Sequence, residues 1–205
     1  MMLTSAEPHG KNLVSLFIDG EKAVDLDAEI YLKSGLHLGD SLDDEQLKKL
    51  LLASDARRAE QKAMNLLSFR AHSEKELARK LGRFFPAEAA GKAAARMVEL
   101  GLVNDEEYAK GLARKLFSHK GFAARRVCIE LMRRGISRET AERAAEEAAP
   151  ADPGKTAKEI LKKKYLNCLN EEKGRLRAAA ALHRMGYCWD DIRSAIREMT
   201  TDEDE

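Results

Sequence analysis

From residue 53 onward, apolar positions recur three and four residues apart, the spacing that collects them on one face of an α-helix. Ala59, Ala63, Leu66, Leu67 and Arg70 form one such run. Leu77 and Leu81 form the next, then Ala90, Ala94, Met97 and Val98, then Tyr108, Leu112 and Leu116, then Val127, Leu131 and Met132. The breaks between runs carry helix-boundary chemistry. Ser73-Glu74-Lys75-Glu76 has the spacing of a capping box, in which a side-chain oxygen accepts from an otherwise orphaned backbone N–H. Pro86 suits a first helical turn, Asn104 and Ser137 suit N-caps, and Gly101, Gly121 and Gly135 suit helix ends. Asp152-Pro153 breaks the chain, and three further helices are predicted near 154–168, 171–185 and 189–199.

The first 52 residues are patterned differently. LVSLFI (13–18) and KAVDL (22–26) are short apolar or alternating runs separated by Asp19-Gly20. An Asp-Gly there is a strong hairpin signal, because both residues tolerate positive φ. Asp27 is placed to cap a short helix, AEIYLKS, ended by Gly35, and after Gly39-Asp40 the stretch 41–44 opens another helix. The first ten residues show no pattern and are predicted to be loose, so β structure is expected only within 11–40.

An internal repeat organises the helical part. LMRRGISRETAERAAEEA (131–148) aligns with LHRMGYCWDDIRSAIREM (182–199) at an offset of 51 residues. Leu131 meets Leu182, Arg133 meets Arg184, Gly135 meets Gly186, Ile136 meets Tyr187, Ala141 meets Ile192 and Ala144 meets Ala195. Upstream, Arg126 meets Arg177, and ELARKLGRFFPAEAAGKAAARMV follows the same plan about 50 residues earlier. The expected fold is mostly α: three tandem three-helix repeats in an elongated curved stack, behind a small N-terminal β-hairpin and helix module. The expected borders are 1–52 for the module, then 53–101, 102–150 and 151–205 for the repeats, the last with an acidic tail.

Composition sharpens this picture. Charged residues make up 35% of the chain and aromatics 5%, which suits many amphipathic helices better than a deep aromatic core. No apolar run approaches a membrane span, no secretory leader pattern opens the chain, and three cysteines form no CxxC pair. A soluble protein of a reducing, cytoplasmic compartment is expected. The net charge of +1 conceals an asymmetry: residues 1–52 carry −5, residues 53–199 carry +10, and Asp202, Glu203, Asp204 and Glu205 add −4. A basic middle between acidic ends points to a polyanionic or acidic partner.

No catalytic constellation is present. His9, His37, His72, His119 and His183 are scattered, without zinc-ligand spacing, and there is no phosphate-binding glycine loop, so no metal, cofactor or enzymatic activity is expected. Cys128 and Cys168 sit among apolar helix positions as small core residues, and Tyr108, Phe117, Phe122 and Tyr165 fall at inward spacing. Trp189, beside a turn in the last repeat, is assigned to the core in preference to a partner contact. The informative set is arginine. Arg126 and Arg133 are two helical turns apart on one face, and Arg177 and Arg184 repeat that spacing, with Arg125, Arg134 and Arg175 nearby. Either they form a basic stripe facing carboxylates or phosphates, or they pair with Glu130, Glu139 and Asp190 and cover the core with their stems.

HSEKELARKL (72–81), ELGLVNDEEYA (99–109) and KGFAARRVCIELMRRGIS (120–137) together resemble the RecX family, bacterial regulators of the RecA recombinase. The resemblance covers residues 55–150 well and residues 151–199 more weakly, while LFIDGEKA resembles a variable N-terminal extension of some members. Phe84-Phe85 departs from a usual Lys-Gly turn, and Cys188-Trp189 occupies another turn unusually. The resemblance implies a non-enzymatic, monomeric modulator with RecA and the RecA–ssDNA filament as partners, which lies along the filament groove and opposes its extension, strand exchange and ATP hydrolysis, with weak direct DNA binding as a further option. Arg125, Arg126, Arg133, Arg134, Arg175, Arg177 and Arg184 are then the expected partner-facing residues. The alternatives are a helix-turn-helix-like DNA-binding regulator, whose third helices here lack the Asn and Gln that read adenine, or a helical scaffold.

Overall fold

The computed structural model describes residues 1–201, and the acidic run at 202–205 lies outside the described residues. The chain divides into two compact units, with the division between Val103 and Asn104.

The first unit opens with a three-stranded antiparallel sheet in the order β1 (Leu3–His9), β2 (Leu13–Ile18), β3 (Glu21–Asp27). Asp19 and Gly20 take φ of 51° and 89°, the mirror-image turn that matches the twist of a two-residue hairpin. The expectation of a loose N-terminus is corrected here: residues 3–9 pair along β2, from Leu3 opposite Ile18 to His9 opposite Leu13. The reason is tertiary. Leu3 is fully buried with Leu16, Ile18, Leu26 and Leu42, so a strand too irregular to show period-two patterning is held by one anchor and its ladder. Asp27 caps α1 (Ala28–Ser34) by accepting from the Glu29 and Ile30 backbones, and Gly35 ends it at φ 68°.

Helix α2 (Asp44–Phe69) opens on a reciprocal capping box between Asp43 and Gln46 and continues without a break past residue 52. The sheet module and the first three-helix unit therefore share one helix. The Ser54 hydroxyl, buried in α2, accepts from the Asp27 backbone at 2.8 Å, while Arg57 pairs with Asp27 and Glu29. Helices α3 (Glu74–Leu81) and α4 (Ala87–Glu99) pack on the second half of α2. Their shared core is Ala59, Ala63, Leu77, Leu81, Ala90, Ala93, Ala94, Met97 and Val103, and its small side chains let the helices approach closely. Phe85 joins this core from the α3–α4 turn, whereas Phe84 is 65% exposed with the Lys62 ammonium 5.0 Å from its ring centre.

The second unit repeats the plan twice. Helix α5 (Asp105–Lys115), capped by Asn104, runs into one π-helical turn, Leu116–Lys120, which Gly121 closes. It packs with α6 (Ala124–Arg133) and α7 (Arg138–Ala148) around Ala109, Ala113, Val127, Leu131, Ile136, Ala141 and Ala144. Helix α8 (Pro153–Lys164) carries proline in its first turn and Asp152 as cap. With α9 (Glu172–Arg184) and α10 (Trp189–Thr201) it encloses Ala157, Leu161, Leu169, Ala178, Leu182, Tyr187, Ile192 and Ala195. Each apolar pair aligned at the 51-residue offset is buried in both copies, and Gly135 and Gly186 both take positive φ, 91° and 96°.

Candidate partner-binding surface

The second helices of the last two three-helix units, α6 and α9, bury one stripe and present the other. Val127 and Leu131 face inward on α6, and Ala178, Ala181 and Leu182 do so on α9. Arg125 and Arg133, like Arg177 and Arg184, therefore fall on the outward side and are exposed. The charge is lopsided: Glu130 is the single acidic residue within α6, and no Asp or Glu occurs between Glu172 and Asp190.

The junction of these two units is welded by backbone and side chain. The Ala123 N–H donates to the Met185 carbonyl at 2.9 Å, and the Tyr187 hydroxyl donates to the Gly121 carbonyl at 3.0 Å. Burial, with Asp191 adding to it, pushes the Tyr187 phenol up to about 12. Beside this weld lies a cleft of about 230 Å³, whose walls include Arg125 and Arg126 from α6, His183 and Arg184 from α9, and Tyr187. Arg126 is half-buried: it pairs with Glu130 at 2.6 Å and lies 5.6 Å from the Phe122 ring centre. Arg125 and Arg184 make no ion pair among the described residues.

Of the seven arginines expected to act together, the structure brings Arg125, Arg126 and Arg184 around this cleft. Arg177 is exposed on α9, two turns before Arg184, and also makes no ion pair among the described residues. Arg133 shares Glu130 with Arg126, at 3.3 Å. Arg134 is half-buried at the end of α6. Arg175 is committed elsewhere, donating to the Leu169 and Asn170 carbonyls at 3.2 Å and closing the 3₁₀ turn Leu166–Cys168. Charge pairing within the chain thus occupies Arg126 and Arg133 and leaves Arg125, Arg177 and Arg184 available.

The core assignment of Trp189 is corrected. Trp189 is 53% exposed and stacks on the His183 imidazole, with ring centres 4.8 Å apart and planes inclined by 19°. The signal was present in the repeat: Trp189 aligns with Arg138, whose side chain is 81% exposed, so the position faces outward in both copies. By contrast Cys128 lies half-buried against the core of its unit, where burial pushes its thiol above its usual range, and Cys168 is half-buried with its thiol donating to the Tyr165 carbonyl at 3.2 Å. Among the described residues no cluster of three or more His, Cys, Asp or Glu could hold a metal ion, and no helix is long and apolar enough to cross a membrane.

Two family models match the helical units. Residues 59–97 match "RecX, first three-helix domain", and residues 104–144 match "RecX, second three-helix domain". A "Regulatory protein RecX" from Caldanaerobacter subterraneus is 34% identical over 151 residues, covering 73% of this chain and 76% of that protein. The chain belongs to the RecX family. A second relative of that name, from Stenotrophomonas maltophilia strain R551-3, is 34% identical over 139 residues, covering 67% of this chain and 84% of its own. The fold agrees as well. A crystal structure of a regulatory protein RecX superposes with a TM-score of 0.66 at 19% identity over 98% of both chains. That of RecX from Lactobacillus salivarius gives 0.62 at 20% identity, over 73% of this chain and 99% of that one.

Proposed function

We propose that this RecX-family protein is a cytoplasmic, non-enzymatic modulator that binds the RecA filament on single-stranded DNA. There it lowers strand exchange and the coupled ATP hydrolysis, contributing to control of recombination and DNA repair. The observation that carries the reading, beyond family membership, is the carboxylate-poor outer side of α6 and α9, where Arg125, Arg177 and Arg184 stand exposed on two helices joined end to end by hydrogen bonds. A nucleoprotein filament is polyanionic through its DNA, and several modest charge-assisted contacts on one rigid body add through effective concentration. The test is the ATPase rate of RecA on single-stranded DNA. A progressive fall with added protein is expected, with no nucleotide turnover by the protein alone. An unchanged rate at several-fold excess rejects the proposal. Co-sedimentation with RecA–ssDNA filaments, in preference to duplex DNA alone, separates this role from that of a helix-turn-helix regulator.

A further inference from the structure

We infer that the first unit carries a separate docking site, a cleft at the seam of its sheet and its helices. Its occupant is a short extended segment of a partner protein in which an apolar residue lies between carboxylates. The inference does not rest on the arginine face of α6 and α9. Helix α2 builds the site. Ala59, Ala63, Leu66 and Leu67 turn into the three-helix core, so Arg58, Gln61, Lys62 and Asn65, three and four residues apart, share another face. That face looks onto Asn12 and Leu13 at the start of β2 and onto Phe85 in the α3–α4 turn, across a cleft of about 310 Å³. Both walls are fixed to the same helix. The sheet is tied to it by the Ser54–Asp27 hydrogen bond and the Arg57 ion pairs, and the turn by the packing of Phe85 on the core.

Charge, hydrogen-bonding capacity and apolar surface together define the occupant. Lys62 stands 5.0 Å from the Phe84 ring centre, and Arg58 stands 5.7 Å from that of Phe85. Lys62 makes no ion pair among the described residues, and Arg58 has Asp55 at 3.7 Å. A ring orients a cation without neutralising it, so both charges stay available to an anion. The rings come from Phe84-Phe85, the dipeptide that departs from the Lys-Gly turn of the family resemblance. Asp27, a carboxylate on the cleft wall, is already neutralised by Arg57 and by the first N–H groups of α1. The side chains of Asn12, Gln61 and Asn65 make no hydrogen bond among the described residues, and each offers donors and an acceptor. A peptide group carries one of each, so an extended main chain matches these amides whatever its sequence. Leu13 and Phe85, both half-buried, and the methylene stems of Arg58 and Lys62 supply the apolar wall for one side chain. A nucleic acid fits less well. Phe85 packs on the core with Arg58 over its ring, so it offers no open face on which a base could stack.

The test is an amide-detected NMR titration of the full-length protein at low salt with the capped peptide Glu-Glu-Leu-Glu-Glu. Saturable shifts are expected in the side-chain amides of Asn12, Gln61 and Asn65 and in the backbone around them. The uncharged peptide Gln-Gln-Leu-Gln-Gln should bind about fivefold to fiftyfold more weakly, the loss expected when half-dry charge-assisted contacts become neutral ones. Arg58→Gln with Lys62→Gln should bring the two peptides to equal, weak affinity, since the charge that tells them apart is gone. Gln61→Ala with Asn65→Ala should weaken both peptides by a similar factor, about threefold to tenfold, because main-chain contacts do not depend on side-chain charge. Phe84→Ala, a change at an exposed ring, should weaken the glutamate peptide alone by about twofold to fivefold as Lys62 loses its support. Unshifted amides away from the cleft show that each variant is folded. Absence of saturable shifts, equal affinity of the unaltered protein for the two peptides, shifts centred on another surface, or tighter binding of an oligo-dT of equal length each overturns the inference. A protein that lowers the RecA ATPase yet shows no such shifts keeps the proposed function and loses this site.

Discussion

Gly186 and Arg126 are packed so tightly that a methyl group on Gly186 would lie 2.7 Å from the Arg126 Cβ and 2.8 Å from its backbone nitrogen. Gly186 also sits at φ 96°, a region that L-residues enter only with strain. The α9–α10 turn and the start of α6 thereby fix each other, and the arginine cleft beside them inherits that rigidity. Gly186→Ala should cost about 2–4 kcal/mol, strain plus overpacking against backbone that cannot yield. Gly101→Ala is the control. It has positive φ but open space around it, so only strain of about 1 kcal/mol is expected. Urea unfolding of the two variants checks the difference, and equal costs would show that the close approach relaxes freely.

Tyr187 supplies the second part of the weld. Tyr187→Phe leaves the Gly121 carbonyl without its 3.0 Å donor and should destabilise by about 1–2 kcal/mol. The phenol also couples stability to high pH. Its folded value of about 12 exceeds the ordinary 10.0, so the contribution is fully present below pH 10 and is lost as pH rises toward 12. In an absorbance titration, one of the four tyrosines should ionise only near pH 12 or on unfolding, and that step should vanish in Tyr187→Phe.

The helical part of the fold was legible because each boundary carries its own local chemistry. Ser73, Asn104, Ser137 and Asp152 each accept from backbone N–H groups at the predicted helix starts. The repeat was legible because aligned buried positions stay apolar. Size is kept at Leu131 and Leu182 and at Ala144 and Ala195, while Ala141 and Ile192 or Ile136 and Tyr187 differ in size and are accommodated by their own unit's packing. Strand β1 was not, since pairing with β2 and the burial of Leu3 are long-range and leave little alternation along residues 3–9. At the candidate surface, the face of each arginine could be inferred from spacing, but its partners could not. Arg126 and Arg175 have the same pattern logic as Arg125 and Arg184, yet one is held by Glu130 and the other by two carbonyls. Trp189 was misassigned for a related reason: a large apolar ring is usually inside, and only its alignment with the exposed Arg138 argued otherwise.

A buried ionic cluster in the first unit should make stability fall at low pH. Glu76 is 4% exposed and accepts from Arg70 at 2.6 Å, with His72 at 3.3 Å. Burial alone would raise the Glu76 carboxyl, but the Arg70 and His72 contacts outweigh it and hold it at about 2. Burial pushes His72 below its ordinary value, so the fold favours the neutral ring. The signs agree: in both cases the unfolded chain binds protons more readily than the folded one, so stability falls as pH falls. The histidine contribution should start to be lost below about pH 6.5. The glutamate contribution, of order 2–3 kcal/mol, should be lost between about pH 4.5 and 2. Urea midpoints measured across this range should decline in two stages, and Glu76→Gln should remove the lower one.

The arginines separate into those that hold the fold and those free to meet a partner, and variants should divide the same way. Arg126 contributes an ion pair to Glu130 and a ring contact to Phe122, so Arg126→Ala should cost about 1 kcal/mol of stability in addition to any loss of binding. Arg125 and Arg184 line the same cleft with no ion pair among the described residues. Removing both should leave stability within about 0.5 kcal/mol, the usual range for surface substitutions. If this face engages the filament, each guanidinium makes a charge-assisted contact worth about 1.5 kcal/mol or more when half-dry, and about 0–1 kcal/mol when it stays hydrated. The Arg125→Ala, Arg184→Ala variant should therefore bind RecA–ssDNA filaments between about tenfold and a hundredfold more weakly, and the residual binding should depend less steeply on salt. Co-sedimentation against salt, alongside urea unfolding of the same preparation, measures both quantities. Undiminished filament binding by a fully folded double variant would move the partner contact off this cleft; a large loss of stability would show instead that these arginines brace the junction between α6 and α9.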